Sequence, residues 1–254
     1  MREDRFKLVS AIYKAKETRA PNLDLEDARL LDKMYEDFIL NGLGLTPEDR
    51  VRFKEVKKEL SILSISFSKR LNEENGGIWF TPKELAGVQE SIIAGFKKGD
   101  SGTENEGKVW MTFKYPDLFP VMKYAINPET RKRVFLANEN KCNENSEVFK
   151  KAIELRDENA RLLGFKNHAE FILEPKMAKT PEKVMSFLTD LREKLNPGGV
   201  KEKARLGELK SAHSKENGLE DDGHYYLWDH RYGFSYPFHL GYSRPNTIFI
   251  SQVL

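Results

Sequence analysis

The chain has 254 residues, with 42 Lys and Arg against 40 Asp and Glu, giving a formal net charge of +2. That balance offers no electrostatic footprint for nucleic acid or an anionic membrane, and 39% hydrophobic with 11% aromatic residues sets the chain apart from disordered sequences. The single cysteine, Cys142, excludes an internal disulfide framework and a cysteine-rich zinc module, and it fits a reducing, cytoplasmic setting.

Phe6, Val9 and Tyr13 fall at i, i+3 and i+7 and predict a first amphipathic helix. The charged start, Met1-Arg2-Glu3-Asp4-Arg5, is not a secretory signal, and runs such as Ile92-Ile93-Ala94 are far short of the ~18 apolar residues of a membrane span. A second helix is expected from about Leu25 to Asn41, with Leu31, Met34, Phe38 and Ile39 on its apolar face. Gly42 is placed to end it in a left-handed cap, and Leu43 to supply the hydrophobic contact beyond. Thr46-Pro47-Glu48-Asp49 then opens a long helix, with proline at N1 and acids at the positive end. Phe53, Val56, Leu60, Leu63, Phe67 and Leu71 form a heptad-like seam along it, which predicts an antiparallel hairpin with a neighbouring helix in preference to a coiled coil.

Gly76-Gly77 breaks that helix, and Ile78-Trp79-Phe80 reads as a short strand. Thr81-Pro82-Lys83-Glu84 is a capping-box sequence expected to open a brief helix closed by Gly87. The stretch from Lys97 to Lys108 reads as an exposed loop, and Lys108 to Phe113 as a second strand, so a small two-stranded β element is expected near residues 78–113. Asn127-Pro128-Glu129 caps a helix carrying Arg131 to about Asn138. A further helix runs from about Glu144 to Leu163 and stops at Gly164-Phe165. Asn167 and Thr180-Pro181-Glu182 are caps for the next helices, with an apolar stripe of Val184, Phe187, Leu188 and Leu191. Asn196-Pro197-Gly198-Gly199 predicts a break before a last helix with Val200, Leu206, Leu209 and Ala212. From Gly233 to Leu254 charges thin out and helical periodicity disappears. The fold class expected is mainly α, divided into a helical segment at 1–232 and a divergent tail at 233–254.

The sequence contains none of the compact catalytic motifs. The histidines are His168, His213, His224, His230 and His239, and no H-E-x-x-H or H-x-x-E-H is present. His224 and His230 are six apart, poor spacing for shared ligation on a helix. His168-Ala169-Glu170 has an H-x-E shape without the P-C-x-x-C that deaminases pair with it, and reads as a polar helix start. Cys142 lies in a polar turn and reads as an incidental thiol. No G-x-S-x-G, G-x-G-x-x-G or P-loop occurs. Lys97-Lys98 and Arg131-Lys132-Arg133 read as solvated faces, and Trp79, Trp110 and Trp228 as packing residues ahead of groove lining.

An ordered series of segments carries a resemblance. It comprises Asp37-Phe38-Ile39-Leu40-Asn41-Gly42-Leu43, Lys57-Lys58-Glu59-Leu60-Ser61-Ile62-Leu63 and Phe67-Ser68-Lys69-Arg70-Leu71-Asn72-Glu73-Glu74. It continues with Phe80-Thr81-Pro82-Lys83-Glu84-Leu85-Ala86-Gly87 and Lys114-Tyr115-Pro116-Asp117-Leu118-Phe119-Pro120. Arg161-Leu162-Leu163-Gly164-Phe165 with His168-Ala169, Met177-Ala178-Lys179-Thr180, and Trp228-Asp229 with Tyr232 complete it. Together, over about residues 2–232, they resemble the thimet oligopeptidase family of zinc metallopeptidases. The resemblance implies a helical wall of a deep channel, short peptides as substrates, and zinc held by an H-E-x-x-H helix whose Glu acts as general base. No residue of this sequence matches the catalytic or metal positions, so none is assigned to catalysis, to metal or to substrate. The implied reading is an interior, truncated and inactive piece of a metalloendopeptidase. Its expected partners are short peptides and a full-length paralogue, with a mitochondrial setting if a missing leader carried a transit peptide. The alternative is a non-catalytic peptide- or partner-binding pseudoenzyme module.

Overall fold

The structure is a computed structural model and describes residues 3–18 and 23–233. In chain order the helices are α1 (Glu3–Thr18), α2 (Leu25–Leu40), α3 (Pro47–Glu73), α4 (Glu90–Ile93), α5 (Tyr115–Tyr124), α6 (Pro128–Glu139), α7 (Asn145–Leu162), α8 (His168–Leu173) and α9 (Pro181–Glu216). The strands are β1 (Gly77–Phe80), β2 (Lys97–Lys98) and β3 (Val109–Thr112), and one 3-10 turn spans Leu227–Asp229. The fold is mainly α, as the periodicity and caps predict. The chain divides into two compact units, Met1–Asn72 with Glu144–Phe187, and Glu73–Asn143 with Leu188–Leu254.

In the first unit, local chemistry sets the helix ends. The Asp24 carboxylate accepts the Asp27 N–H at 2.8 Å to start α2. At its other end Gly42 has φ +84°, Gly42 N–H donates to the Ile39 carbonyl and Leu43 N–H to the Phe38 carbonyl, the paired bonds of a Schellman cap. Leu43 is buried, as that motif's hydrophobic contact requires. Gly164 repeats the device after α7, with Phe165 N–H donating to Ala160. Aromatic pairs fasten α1 to α2: Tyr13 stacks on Tyr35 at 4.0 Å, and Phe6 meets Phe38 at 5.8 Å.

Phe53 and Val56 of α3 are fully buried, whereas Leu71 at the far end of the seam is exposed. The partner of α3 is α7, reached after some seventy residues of intervening chain and not through a hairpin. Arg52 Nε and Nη2 clasp the Glu158 carboxylate at 2.6 and 2.9 Å. Arg70 Nη1 reaches the Glu144 carbonyl at 2.9 Å, and Asn145 donates to the Phe67 carbonyl at 3.2 Å. Low numbers of α3 therefore meet high numbers of α7, which is antiparallel packing.

The second unit is built on a three-stranded antiparallel sheet in the order β1-β3-β2. The expected two-stranded element gains a third strand because Lys97-Lys98, read as loop, pairs with Trp110 and Val109. The register sets Ile78 against Met111 and Phe80 against Val109, with Trp79 opposite Trp110 one position out of phase. Phe80, Val109 and Met111 join Leu85, Val121 and Val134 in the buried core, to which α5 and α6 contribute.

Three further local readings are corrected. Thr81–Glu84 makes the reciprocal capping-box bonds, with Thr81 N–H donating to Glu84 at 2.7 Å, yet the residues form turns, and the short helix α4 follows at Glu90. Gly87, at φ +92°, ends those turns as expected. Helix α5 was not expected. Pro116 sits in its first turn, where no N–H is needed, and Pro120 removes one internal bond without ending it. The break expected at Asn196–Gly199 does not occur, because α9 runs unbroken for 36 residues through Pro197. Those residues are mostly exposed, so water can satisfy the carbonyl that Pro197 leaves without a donor. Strong helix formers flank the site on both sides. The tail at 233–254 lies outside the described residues, apart from Gly233.

Candidate functional site

The densest set of buried charged groups lies in the second unit, where α6, α9 and the stretch from Tyr225 to Tyr232 converge. Asn127 starts α6 by accepting the Glu129 N–H at 2.9 Å, which phases the helix so that Thr130, Arg131 and Val134 face inward. Arg131, read from the sequence as part of a solvated basic cluster, is 2% exposed. Its Nη1 donates to the carbonyls of Ala125 and Ile126 at 2.7 and 2.9 Å, and its Nη2 to Asp229 Oδ1 at 2.7 Å. Asp229 is equally buried. Its second oxygen takes Lys210 Nζ at 3.0 Å and the Tyr226 N–H at 3.3 Å. Lys210 also donates to the His224 carbonyl and stands 3.7 Å from Asp222.

A second layer adjoins the first. The Arg131 guanidinium lies 4.2 Å from the centre of the Tyr232 ring. The Tyr232 hydroxyl is 2.6 Å from Nε2 of His213, and the two rings meet edge to face at 4.9 Å. Burial, seconded by the Arg131 charge, holds the His213 imidazole below the usual histidine range, so it favours the neutral form. Burial raises the Tyr232 and Tyr225 hydroxyls, which stay protonated and able to donate. The space among these groups is about 20 Å³, room for one water and none for a peptide.

This arrangement is a clasp. His213 Nε2 faces Tyr232, and both Asp229 oxygens are taken by cations, so these three atoms are committed to contacts within the chain. Among the described residues no group of three or more His, Cys, Asp or Glu could hold a metal ion. A zinc site needs three or four converging N, O or S ligands, and the residues described do not provide one.

The remaining sequence-flagged residues are dispersed. His168 opens α8, where the Asn167 side chain accepts the Glu170 N–H at 3.0 Å; this is a helix cap. Cys142 is half-buried at φ +55° in the turn between α6 and α7. His224 is exposed and His230 half-buried, while His239 lies outside the described residues. Trp228 stacks on Tyr226 at 4.5 Å and contacts Phe135, and Trp79 packs on Trp110 at 5.2 Å. Lys97 and Lys98 are exposed, as read, but Arg133 instead pairs with Glu84 at 2.5 Å over the Phe80 ring. On α9 the stripe residues Phe187, Leu188 and Leu191 are exposed, Phe187 by 66%. No helix of the described residues is long and apolar enough to cross a membrane.

Two signals could have exposed the clasp. His213 continues the spacing of Leu206 and Leu209, so helical phase alone puts it on the buried face. Arg131 stands three residues before Val134 on the inward face of α6.

Comparison with known proteins agrees with the segment series. Residues 121–237 match the model of peptidase family M3, a family of zinc metallopeptidases. Saccharolysin of Saccharomyces cerevisiae is 41% identical over 234 residues, covering 91% of this chain and 33% of that protein. The thimet-like oligopeptidase of Dictyostelium discoideum is 35% identical over 237 residues, covering 91% and 35%. Oligopeptidase A of Escherichia coli is 34% identical over 196 residues, covering 72% and 29%. The chain spans about a third of the length of these relatives. Likeness of this order, reaching 41% identity over nine-tenths of the chain, makes it a member of the thimet oligopeptidase family, peptidase family M3.

Proposed function

We propose that this chain is a non-catalytic portion of an oligopeptidase-type zinc metallopeptidase acting on short peptides, and that the polypeptide alone hydrolyses nothing. The observation that carries the reading is a mismatch: the family likeness spans 91% of the chain, yet the 254 residues contain no H-E-x-x-H. Peptide hydrolysis in a zinc enzyme needs a metal-activated water and a general base. The clasp commits its one buried histidine and one buried aspartate to Tyr232, Arg131 and Lys210. Zinc is the metal of the family, and no H-E-x-x-H in these 254 residues matches the motif that holds it there.

Residues 1–232 then act as helical framework with 233–254 distinct from them, in the cytoplasm, which the single cysteine favours. Incubating the purified chain with zinc and an internally quenched fluorescent peptide tests the reading. No rise in fluorescence is expected, and turnover that a chelator abolishes overturns it. A second reading, a peptide- or partner-binding module, draws on Leu188 and Leu191, both exposed on α9. Calorimetric titration with short peptides separates the two, because a framework segment gives no saturable heat.

A further inference from the structure

His213 is 4% exposed, the most buried of the histidines in the described residues, and no reading above gives it a task. It sits on α9 where the stretch from Tyr225 to Tyr232 folds back over α6. Its Nε2 and the Tyr232 hydroxyl are 2.6 Å apart. We propose that His213 and Tyr232 form a protonation-sensitive latch, which holds the Tyr225–Tyr232 stretch against α6 and α9 while the imidazole is neutral and loosens when it takes a proton. The proposal concerns this chain's own folding and stands whichever polypeptide carries the metal.

The neighbours decide the sign. From α6, the Arg131 guanidinium lies against the Tyr232 ring, and its charge disfavours a second cation at His213. From the returning stretch come Tyr225, Tyr232 and the Asp229 carboxylate, the last favouring the cation. On α9 itself, Lys210 lines the same small space, and Glu216 also favours the cation. Asp229 is already bound by Arg131 and Lys210, so its charge is largely spent. Burial adds the cost of stripping water from an imidazolium. Neutral imidazole offers Nε2 as the acceptor for the Tyr232 proton. Once Nε2 is protonated, the Tyr232 hydroxyl must turn its own proton elsewhere, within a space of about 20 Å³, room for a single water.

With the folded-state affinity for the proton lowered, the latch is at full strength above the ordinary histidine range. It weakens as pH falls through that range toward the lower folded-state value. His230, half-buried beside Arg231 in the same stretch, titrates in the same direction and must be separated from His213. Hydrogen exchange read by mass spectrometry on the full chain, corrected for intrinsic rates, does this. Amides of the Tyr225–Tyr232 stretch should lose protection by about threefold or more between neutral and mildly acidic pH, while the sheet amides of Val109–Thr112 keep theirs.

His213→Gln keeps a neutral acceptor at the Nε2 position at every pH and should abolish that acid-dependent loss. Tyr232→Phe keeps the ring under Arg131, removes the hydroxyl, and should move the loss to higher pH. A His213→Gln chain that opens with the wild-type pH profile overturns the proposal and assigns the effect to His230 or the carboxylates. If His213→Gln lacks native helicity, the Tyr232→Phe profile decides alone, and an unmoved midpoint there overturns it equally.

Discussion

Replacing Asp229 by Ala leaves Arg131, 2% exposed, with its Nη2 facing no carboxylate. Lys210 keeps the His224 carbonyl and Asp222 as alternatives, so the stranded charge is mainly that of Arg131. Removing one partner of a buried pair costs about 3–5 kcal/mol, because the remaining ion is left desolvated. At about 2–4 °C per kcal/mol for a chain of this size, the melting temperature should fall by about 6–20 °C. Circular dichroism of wild type, Asp229→Ala, Arg131→Met and the double variant would measure it. The cost depends on an unpaired charge, so the double variant should be less destabilised than the sum of the singles, by about 2 kcal/mol or more. A drop of under about 2 °C for Asp229→Ala, or strictly additive losses, would refute the view that this ion pair fastens the Tyr225–Tyr232 stretch to α6.

Three other outcomes are expected. Gly42→Ala places a methyl at φ +84° and 2.8 Å from the Phe53 ring, and should cost about 1–3 kcal/mol in urea denaturation, with Gly164→Ala, free of such a neighbour, costing less. Pro197→Ala restores a helix donor inside α9 and should stabilise the chain by about 1–3 kcal/mol by the same assay, whereas a chain broken at that point would gain nothing. The Tyr226 hydroxyl and the His224 N–H hold Asp222 down to about 2, so its carboxyl carbon should titrate there by NMR. In Tyr226→Phe it should move back toward the ordinary range, and an unmoved midpoint would show that the hydroxyl is not the cause.

The legible parts of the fold are those whose causes are local. Asp24, Asn127, Asn167, Gly42 and Gly164 act on atoms within five residues, so a reader of the sequence sees both cause and effect. Strand β2 was hidden because two lysines have no apolar period, and its pairing depends on Trp110 a dozen residues later. Pro197 misled because a proline and two glycines are breakers by propensity, while the helix on each side is long enough to carry one missing bond on an exposed turn. The clasp was the hardest to read. Arg131 and Asp229 are 98 residues apart, and Arg131-Lys132-Arg133 looks like a surface cluster until helical phase is applied one residue at a time. The Trp228-Asp229 and Tyr232 pattern was visible only as a family resemblance, and the structure supplies its physical content: a carboxylate for Arg131 and a hydroxyl for His213.

The function proposed above requires that this polypeptide not retain the zinc its family uses. Equilibrium dialysis of the purified 254-residue chain against zinc, followed by elemental analysis, measures this directly. Zinc well below one ion per chain, and removed by a weak chelator, is the expected result. One tightly retained ion per chain would contradict the account.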